Sequence, residues 1–173
     1  QKMRKQNVLK NHQLFSKLKP QSTEKLLELM ELKTYHAQEL LCKQDEEADR
    51  LFVLVSGTVN VDQYVEDDEN VKHEDTIHTY TASNEEYPIF GESSIRNEGI
   101  TNRNASLLAT TNCETMELSK KIYFMMKAAG DLVNDEDPDG TANVHSILHR
   151  KSIVHQENLV QRLKELNMQN QKK

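Results

Sequence analysis

The run Leu51-Phe52-Val53-Leu54-Val55-Ser56-Gly57-Thr58-Val59-Asn60-Val61 limits the fold of this chain more than any other stretch. It is rich in valine, and Gly57 falls where a turn or bulge is needed, so it reads as two strands. A shorter apolar run, Leu40-Leu41-Cys42, precedes it. The link between them, Lys43 to Asp49, is too polar to be buried and has the Asp and Glu content of a surface turn.

The period on the N-terminal side is helical. Val8, Leu9, Leu14, Phe15 and Leu18 are spaced as in one or two short helices. Pro20 breaks that pattern, and Ser22 or Thr23 can cap a new helix whose apolar face is Leu26, Leu27, Leu29, Met30 and Leu32. After Val61, residues 62–86 offer only Val65, Val71, Ile77 and Tyr80 as a strand face. This predicts a long, mobile hairpin with the acidic run Glu66 to Glu69 as a solvated tip. Ala105 to Ala109 and Thr115 to Leu118 read as two more strands, with Asn112 near the turn between them. Ser119 can cap a helix through Ile122, Tyr123 and Met126 to about Ala129, where Gly130 ends it. From Val144 to Leu166 a broken apolar stripe predicts one long amphipathic helix or two abutting ones.

Composition narrows the function classes. With 36% hydrophobic and 29% charged residues, the core must be modest and the exposed surface large. A formal charge of −6 argues against nonspecific nucleic-acid binding, which needs clustered cations to displace counterions. No apolar run approaches the ~20 residues of a bilayer span, and no secretory signal precedes the first helical pattern, so a soluble, cytoplasmic chain is expected. Gln1 at the start suggests a piece of something longer. Cys42 and Cys113 are too few and too far apart for a disulfide framework or zinc motif, and read as reduced core thiols. There is no serine-centred elbow, phosphate-loop lysine, metal-protease histidine pair or paired cysteine motif, so no enzyme and no catalytic cofactor is expected.

The stretch from Phe90 to Ser106, FGESSIRNEGITNRNAS, carries the chemistry. Gly91 lets the backbone come close to a ligand, and Glu92 can accept paired hydroxyl hydrogen bonds. The Arg103 fork can grip a phosphate in two places while backbone N–H groups help with the anion. The chemistry suits a phosphorylated sugar.

Three pieces of this sequence resemble the cyclic nucleotide-binding domain family. They are the strand-glycine-strand run Leu51 to Val61, Phe90-Gly91-Glu92 at the start of a phosphate-binding cassette, and Arg103-Asn104-Ala105-Ser106 at its end. The resemblance spans about residues 14–129. It implies an α+β, mainly β fold: a jelly-roll-like β barrel flanked by N-terminal and C-terminal helices. The helical lead-in would be residues 1–33, the barrel 34–118 with its cassette at 90–106, and the C-terminal lid or partner-contact helices 119–173.

By the same resemblance the ligand is cAMP or cGMP. Glu92 would take the ribose 2′-hydroxyl and Arg103 the cyclic phosphate. Backbone amides at Gly91, Ser93 and Ser94 would complete the cradle, and Asn104 and Ser106 match positions that can touch phosphate or purine. The implied function is a regulatory module that senses the second messenger and signals through its flanking helices to an effector protein or attached effector domain. The alternative is a degenerate, nucleotide-free barrel used as an interaction scaffold, in which Glu92 and Arg103 would pair with each other. The chain departs from the family at Ala37-Gln38 and Asp45, where glycines are usual, and between Glu92 and Arg103, where it is about two residues longer.

Two further constellations invite metal readings. Asp135-x-Asp137-x-Asp139-Gly140 begins like a calcium loop but has Ser146 at the twelfth position, so an acidic turn is expected. His145 and His149 lie four apart on one helix face and lack a suitably spaced third ligand, which leaves solvent-exposed histidines as the expectation.

Overall fold

In a computed structural model of the chain, residues 2–83, 86–133 and 144–171 are described, the last segment without the side chains of 151–159 and 170–171. The strands are β1 (Glu31–Tyr35), β2 (Leu40–Cys42), β3 (Arg50–Ser56), β4 (Thr58–Glu66), β5 (Lys72–Thr81), β6 (Ile89–Phe90), β7 (Ser106–Ala109) and β8 (Cys113–Ser119). The helices are α1 (Lys2–Asn11), α2 (Pro20–Leu29), α3 (Lys120–Ala128) and α4 (Val144–Gln171), with single 3₁₀ turns at Phe15–Lys17 and Glu92–Ile95. The apolar stripe at the C-terminus is thus one long helix. The potential calcium loop, Asp135 to Gly140, lies outside the described residues.

β3 is unbroken in its hydrophobicity because both of its faces are covered. Leu51, Val53 and Val55 face the helices, in a core that includes Leu9, Phe15, Leu26, Met116 and Tyr123. Phe52 and Leu54 face the other way, against Leu41, Val59, Phe90 and Leu107. Each such fully buried side chain contributes roughly 1.5–3 kcal/mol. Gly57 joins β3 to β4 at φ +92°, where a Cβ would lie 2.5 Å from the Asn112 carbonyl oxygen, so a glycine is required there.

The strands form two four-stranded antiparallel sheets, in the orders β1-β8-β3-β6 and β2-β7-β4-β5. This is the double-sheet jelly-roll plan. Among the described residues no named strand of one sheet pairs with one of the other, so the expected barrel is an open sandwich with β1, β6, β2 and β5 as edges. β4 and β5 make the predicted hairpin, in register from Thr58 opposite Thr81 to Glu66 opposite Lys72. Its tip is built around Asp67, whose side chain is fully buried. Asp67 Oδ1 accepts from the Glu69 and Val71 amides at 2.9 and 3.0 Å, and Oδ2 lies 2.8 Å from His73 Nε2.

Two boundaries differ from the sequence reading. α2 begins at Pro20 itself, because proline at the first helical position has no N–H to leave unsatisfied. Ser22 therefore lies inside the helix, its hydroxyl 3.3 Å from Asp131 Oδ1, rather than at its cap. The helix also stops at Leu29, and β1 starts at Glu31, within the segment read as helical, because all five of its residues pair with β8.

The two turns without glycine keep the left-handed backbone that glycine would favour: Gln38 and Asp45 both have φ +73°. For a side chain bearing a Cβ that region costs roughly 1–2 kcal/mol. Gln38→Gly is expected to stabilise the protein by about 1 kcal/mol after the added entropy of the unfolded chain is counted. That is a rise of about 2–4 °C in Tm by calorimetry. Gln38→Val should move Tm the other way.

α4 is anchored where His145 Nδ1 meets the Tyr123 hydroxyl of α3 at 2.7 Å, beside the His149 ring. His145 is therefore no solvent-exposed histidine. Burial, with help from Lys127 and His149, pushes its pKa down to about 4. The unfolded chain, with a histidine pKa of about 6.5, takes up protons first as pH falls. This contribution is complete above about pH 6.5 and is lost progressively toward pH 4. Denaturant titrations across that window should show a steeper loss of stability for the wild type than for His145→Gln. Equal slopes would contradict the assignment.

Candidate functional site

The cassette begins where β6 ends. Gly91 has φ +86° and caps the 3₁₀ turn that follows, and a Cβ there would lie 2.8 Å from Phe52 Cδ2 and 2.9 Å from Arg103 Nη1. The glycine is therefore needed both for its backbone conformation and for the space it leaves the arginine. Glu92 follows with only 2% of its surface exposed. Its carboxylate lies near Tyr80, whose hydroxyl is held well above its ordinary pKa by burial and then by that negative charge.

Arg103 is 3% exposed. Nη2 donates to the Arg50 carbonyl at 2.7 Å and Nη1 to the Gly91 carbonyl at 3.1 Å, while the guanidinium lies over the Phe52 ring at 5.3 Å. Asp49 Oδ1 is 3.8 Å from Nη2, on a side chain that is 64% exposed and correspondingly screened. Nε is buried and makes no hydrogen bond among the described residues. Burial pulls the guanidinium below its ordinary pKa.

These groups open onto a cavity of about 340 Å³. That is within the usual range for a small-molecule site. Gly91, Glu92, Ser93, Arg103 and Asn104 line it. Ser94 and Ser106 do not. The Ser94 amide and hydroxyl both donate to the Gly91 carbonyl, at 3.2 and 2.8 Å, so they shape the turn. Ser106 Oγ accepts from the Gln44 amide at 2.9 Å, toward the link between β2 and β3.

The rest of the lining comes from residues that sequence reasoning did not assign to a site: Val61 and Gln63 of β4, Ile77, His78 and Tyr80 of β5, Phe90, Ala105, Leu107 of β7, and Arg162 of α4. Tyr80 stacks on Phe90 at 5.0 Å between centroids, and Phe90 on Phe52 at 5.5 Å. The stack links the cavity wall to the ring beneath Arg103. Arg162 Nη1 donates to Gln63 Oε1 at 2.7 Å and Nη2 to Asp75 Oδ2 at 2.6 Å. The alternation along β4 and β5 was the available signal for the strand residues. Nothing in the sequence pointed to Arg162.

The longer middle of the cassette is stitched to its neighbours. Thr101 Oγ1 donates to the Ser93 carbonyl at 2.6 Å, and the Ala48 amide donates to the Thr101 carbonyl at 2.7 Å. The Arg103 amide reaches the Glu46 carbonyl and its carbonyl accepts from Asp45, at 2.8 and 2.9 Å. Lys120 Nζ at the start of α3 donates to the Gly99 carbonyl. The link from Lys43 to Asp49, polar as it is, thus frames Arg103. Cys42 and Cys113 are both buried free thiols. Among the described residues no group of three His, Cys, Asp or Glu could hold a metal ion, and no helix is long and apolar enough to cross a membrane.

Comparison with known proteins agrees with this geometry. The family described as cyclic nucleotide-binding domain matches residues 32–129, more than half of the chain. No curated protein sequence matched. Among solved structures, a PKAR CBD2 bound to Sp-2Cl-cAMPS has a TM-score of 0.64 at 20% identity, over 94% of this chain and 91% of that one. The regulatory domain of Toxoplasma gondii PKA with cAMP has a TM-score of 0.60 at 19% identity, over 76% and 47%. The sensor domain of the transcriptional regulator DNR from Pseudomonas aeruginosa has a TM-score of 0.60 at 19% identity, over 88% and 91%. Identities this low speak for the fold alone, and this chain spans only 46% to 65% of the length of four of the structures it matches. On the strength of the family match and of the fold, the chain belongs to the cyclic nucleotide-binding domain family.

Proposed function

We propose that this chain is a regulatory module, acting in the cytoplasm, that binds a cyclic nucleotide, cAMP or cGMP, and reports occupancy through α3 and α4. The observation that carries the reading is Arg103: a cation almost wholly buried in a cavity wall, its terminal nitrogens held by two backbone carbonyls and its Nε left without a hydrogen bond. Burying a charge with incomplete pairing is costly, and an anionic ligand removes that cost. A cyclic phosphate is a monoanion that accepts from a guanidinium fork. Glu92 supplies acceptors for the ribose hydroxyl, and Ser93 lines the same wall.

No catalytic step is needed for this role. The ligand acts by favouring one arrangement of the helices over another, since equal affinity for both would shift nothing. Two contacts of α4 support this role: Arg162 lines the cavity, and the Asp68 amide donates to Asn167 Oδ1 at 2.9 Å, tying the helix to the β4–β5 hairpin. An effector protein or attached effector domain would read the change.

Calorimetry with cAMP and cGMP tests the reading. Binding at micromolar concentration or tighter is expected, and Arg103→Ala should weaken it by roughly thirtyfold or more, the loss typical of truncating one member of a buried charge pair. No heat with either nucleotide would favour the nucleotide-free scaffold. Gly91→Ala, which drives a methyl group toward Phe52 and Arg103, should lower stability by roughly 1–3 kcal/mol and weaken the nucleotide as well. Hydrogen exchange in α4 should change at saturating nucleotide, and unchanged protection would contradict signalling through that helix.

A further inference from the structure

The hydrogen-bonding groups of the cavity decide which purine fits best, an inference that rests on the nucleotide reading above. Outside the cassette the polar lining residues are Gln63, His78, Tyr80 and Arg162. The Tyr80 hydroxyl lies near the Glu92 carboxylate, the group assigned to the ribose. Gln63 is buried and occupied at both ends of its amide. Nε2 donates to the Asn104 carbonyl at 3.2 Å, and Oε1 accepts from Arg162. His78 is at the exposed rim, its ring edge-on to Tyr80 at 4.4 Å.

Arg162 is the charged group outside the cassette that a base can address. A guanidinium carries five N–H donors and no acceptor. Its contacts to Gln63 and Asp75 hold it in position and take two of those donors. What α4 offers the base is therefore hydrogen-bond donation alone.

Guanine presents two adjacent acceptors, O6 and N7, which match an arginine fork. Adenine presents N7 beside the N6 amino group, itself a donor. With adenine one N–H would face another and remain unpaired, at a cost. We propose that Arg162 makes this site selective for 6-oxopurine cyclic nucleotides, cGMP over cAMP. The fixed guanidinium strengthens the preference because little side-chain freedom is lost when the base arrives.

Titration calorimetry of the whole chain with cGMP, cAMP and cIMP tests this, because cIMP keeps O6 and N7 but lacks the 2-amino group. The expected result is cGMP and cIMP both binding about tenfold or more tightly than cAMP, the order of one good bidentate contact. In Arg162→Met the ratio should fall toward one while all three still bind, since the phosphate and ribose contacts lie elsewhere. The assignment is overturned if cAMP binds as tightly as cGMP, if cIMP follows cAMP, or if the preference survives in Arg162→Met. Binding without preference would overturn this inference alone, whereas no binding by any of the three would overturn the nucleotide reading with it.

Discussion

A guanidinium kept in a protein interior has to have its charge and its N–H groups met, and in this chain the Arg103 side chain sets that requirement for everything around it. Two of its nitrogens are held by the carbonyls of Arg50 and Gly91, which belong to different segments of the chain. Those carbonyls converge only because β3 and β6 pair through Phe52 opposite Phe90, and because Gly91 turns the chain left-handed immediately afterwards. The Phe52 ring then gives the cation a face to rest on, in a region where desolvation strengthens cation–π attraction. Backbone carbonyls orient the arginine without cancelling its charge.

Behind this arrangement lies a second buried polar group. Glu117 on β8 is 4% exposed and accepts from Arg50 Nε at 2.7 Å, the Tyr35 hydroxyl at 2.6 Å and the Thr115 hydroxyl at 2.7 Å. Arg50 also lies over Phe52, at 4.9 Å, so two cations share one ring. Burial alone would lower the Arg50 pKa, but Glu117, Tyr35 and Asp49 together more than offset it, and the net shift is upward. The same network, through burial first and then the Glu117 carboxylate, holds the Tyr35 hydroxyl well above its ordinary pKa. Glu117 thus neutralises Arg50, whose carbonyl holds Arg103.

Much of this was legible in the sequence, and the reason lies in short-range chemistry. The valine-rich run with Gly57, the Ser119 cap that accepts from the Ile122 amide, and the pairing of Gly91-Glu92 with Arg103 are all local signals. Three features were not legible. β1 owes its state to pairing with β8, about eighty residues away, and a helical neighbour masked it. The closed barrel became an open sandwich because closure depends on which strands pair, and strand spacing says nothing about that. Ser94 was read for its backbone amide and Ser106 as a match to a family position, but the Ser94 amide and hydroxyl donate to the Gly91 carbonyl and the Ser106 hydroxyl accepts from the Gln44 amide. Gln38 and Asp45 show the opposite case: the glycines are gone, but the left-handed turns persist because the flanking strands demand them.

α4 completes the cavity from outside the cassette through Arg162, so in the proposed module the ligand's surroundings and the signalling helix would share side chains. The proposed coupling would begin with Arg103 meeting an anion. The most direct measurement is the side-chain Nε–H resonance of Arg103 in an NMR titration with cAMP and cGMP. The account requires that resonance to shift and its exchange with water to slow, saturating at one nucleotide per chain. A resonance that stays in place at saturating concentrations of both nucleotides would contradict it.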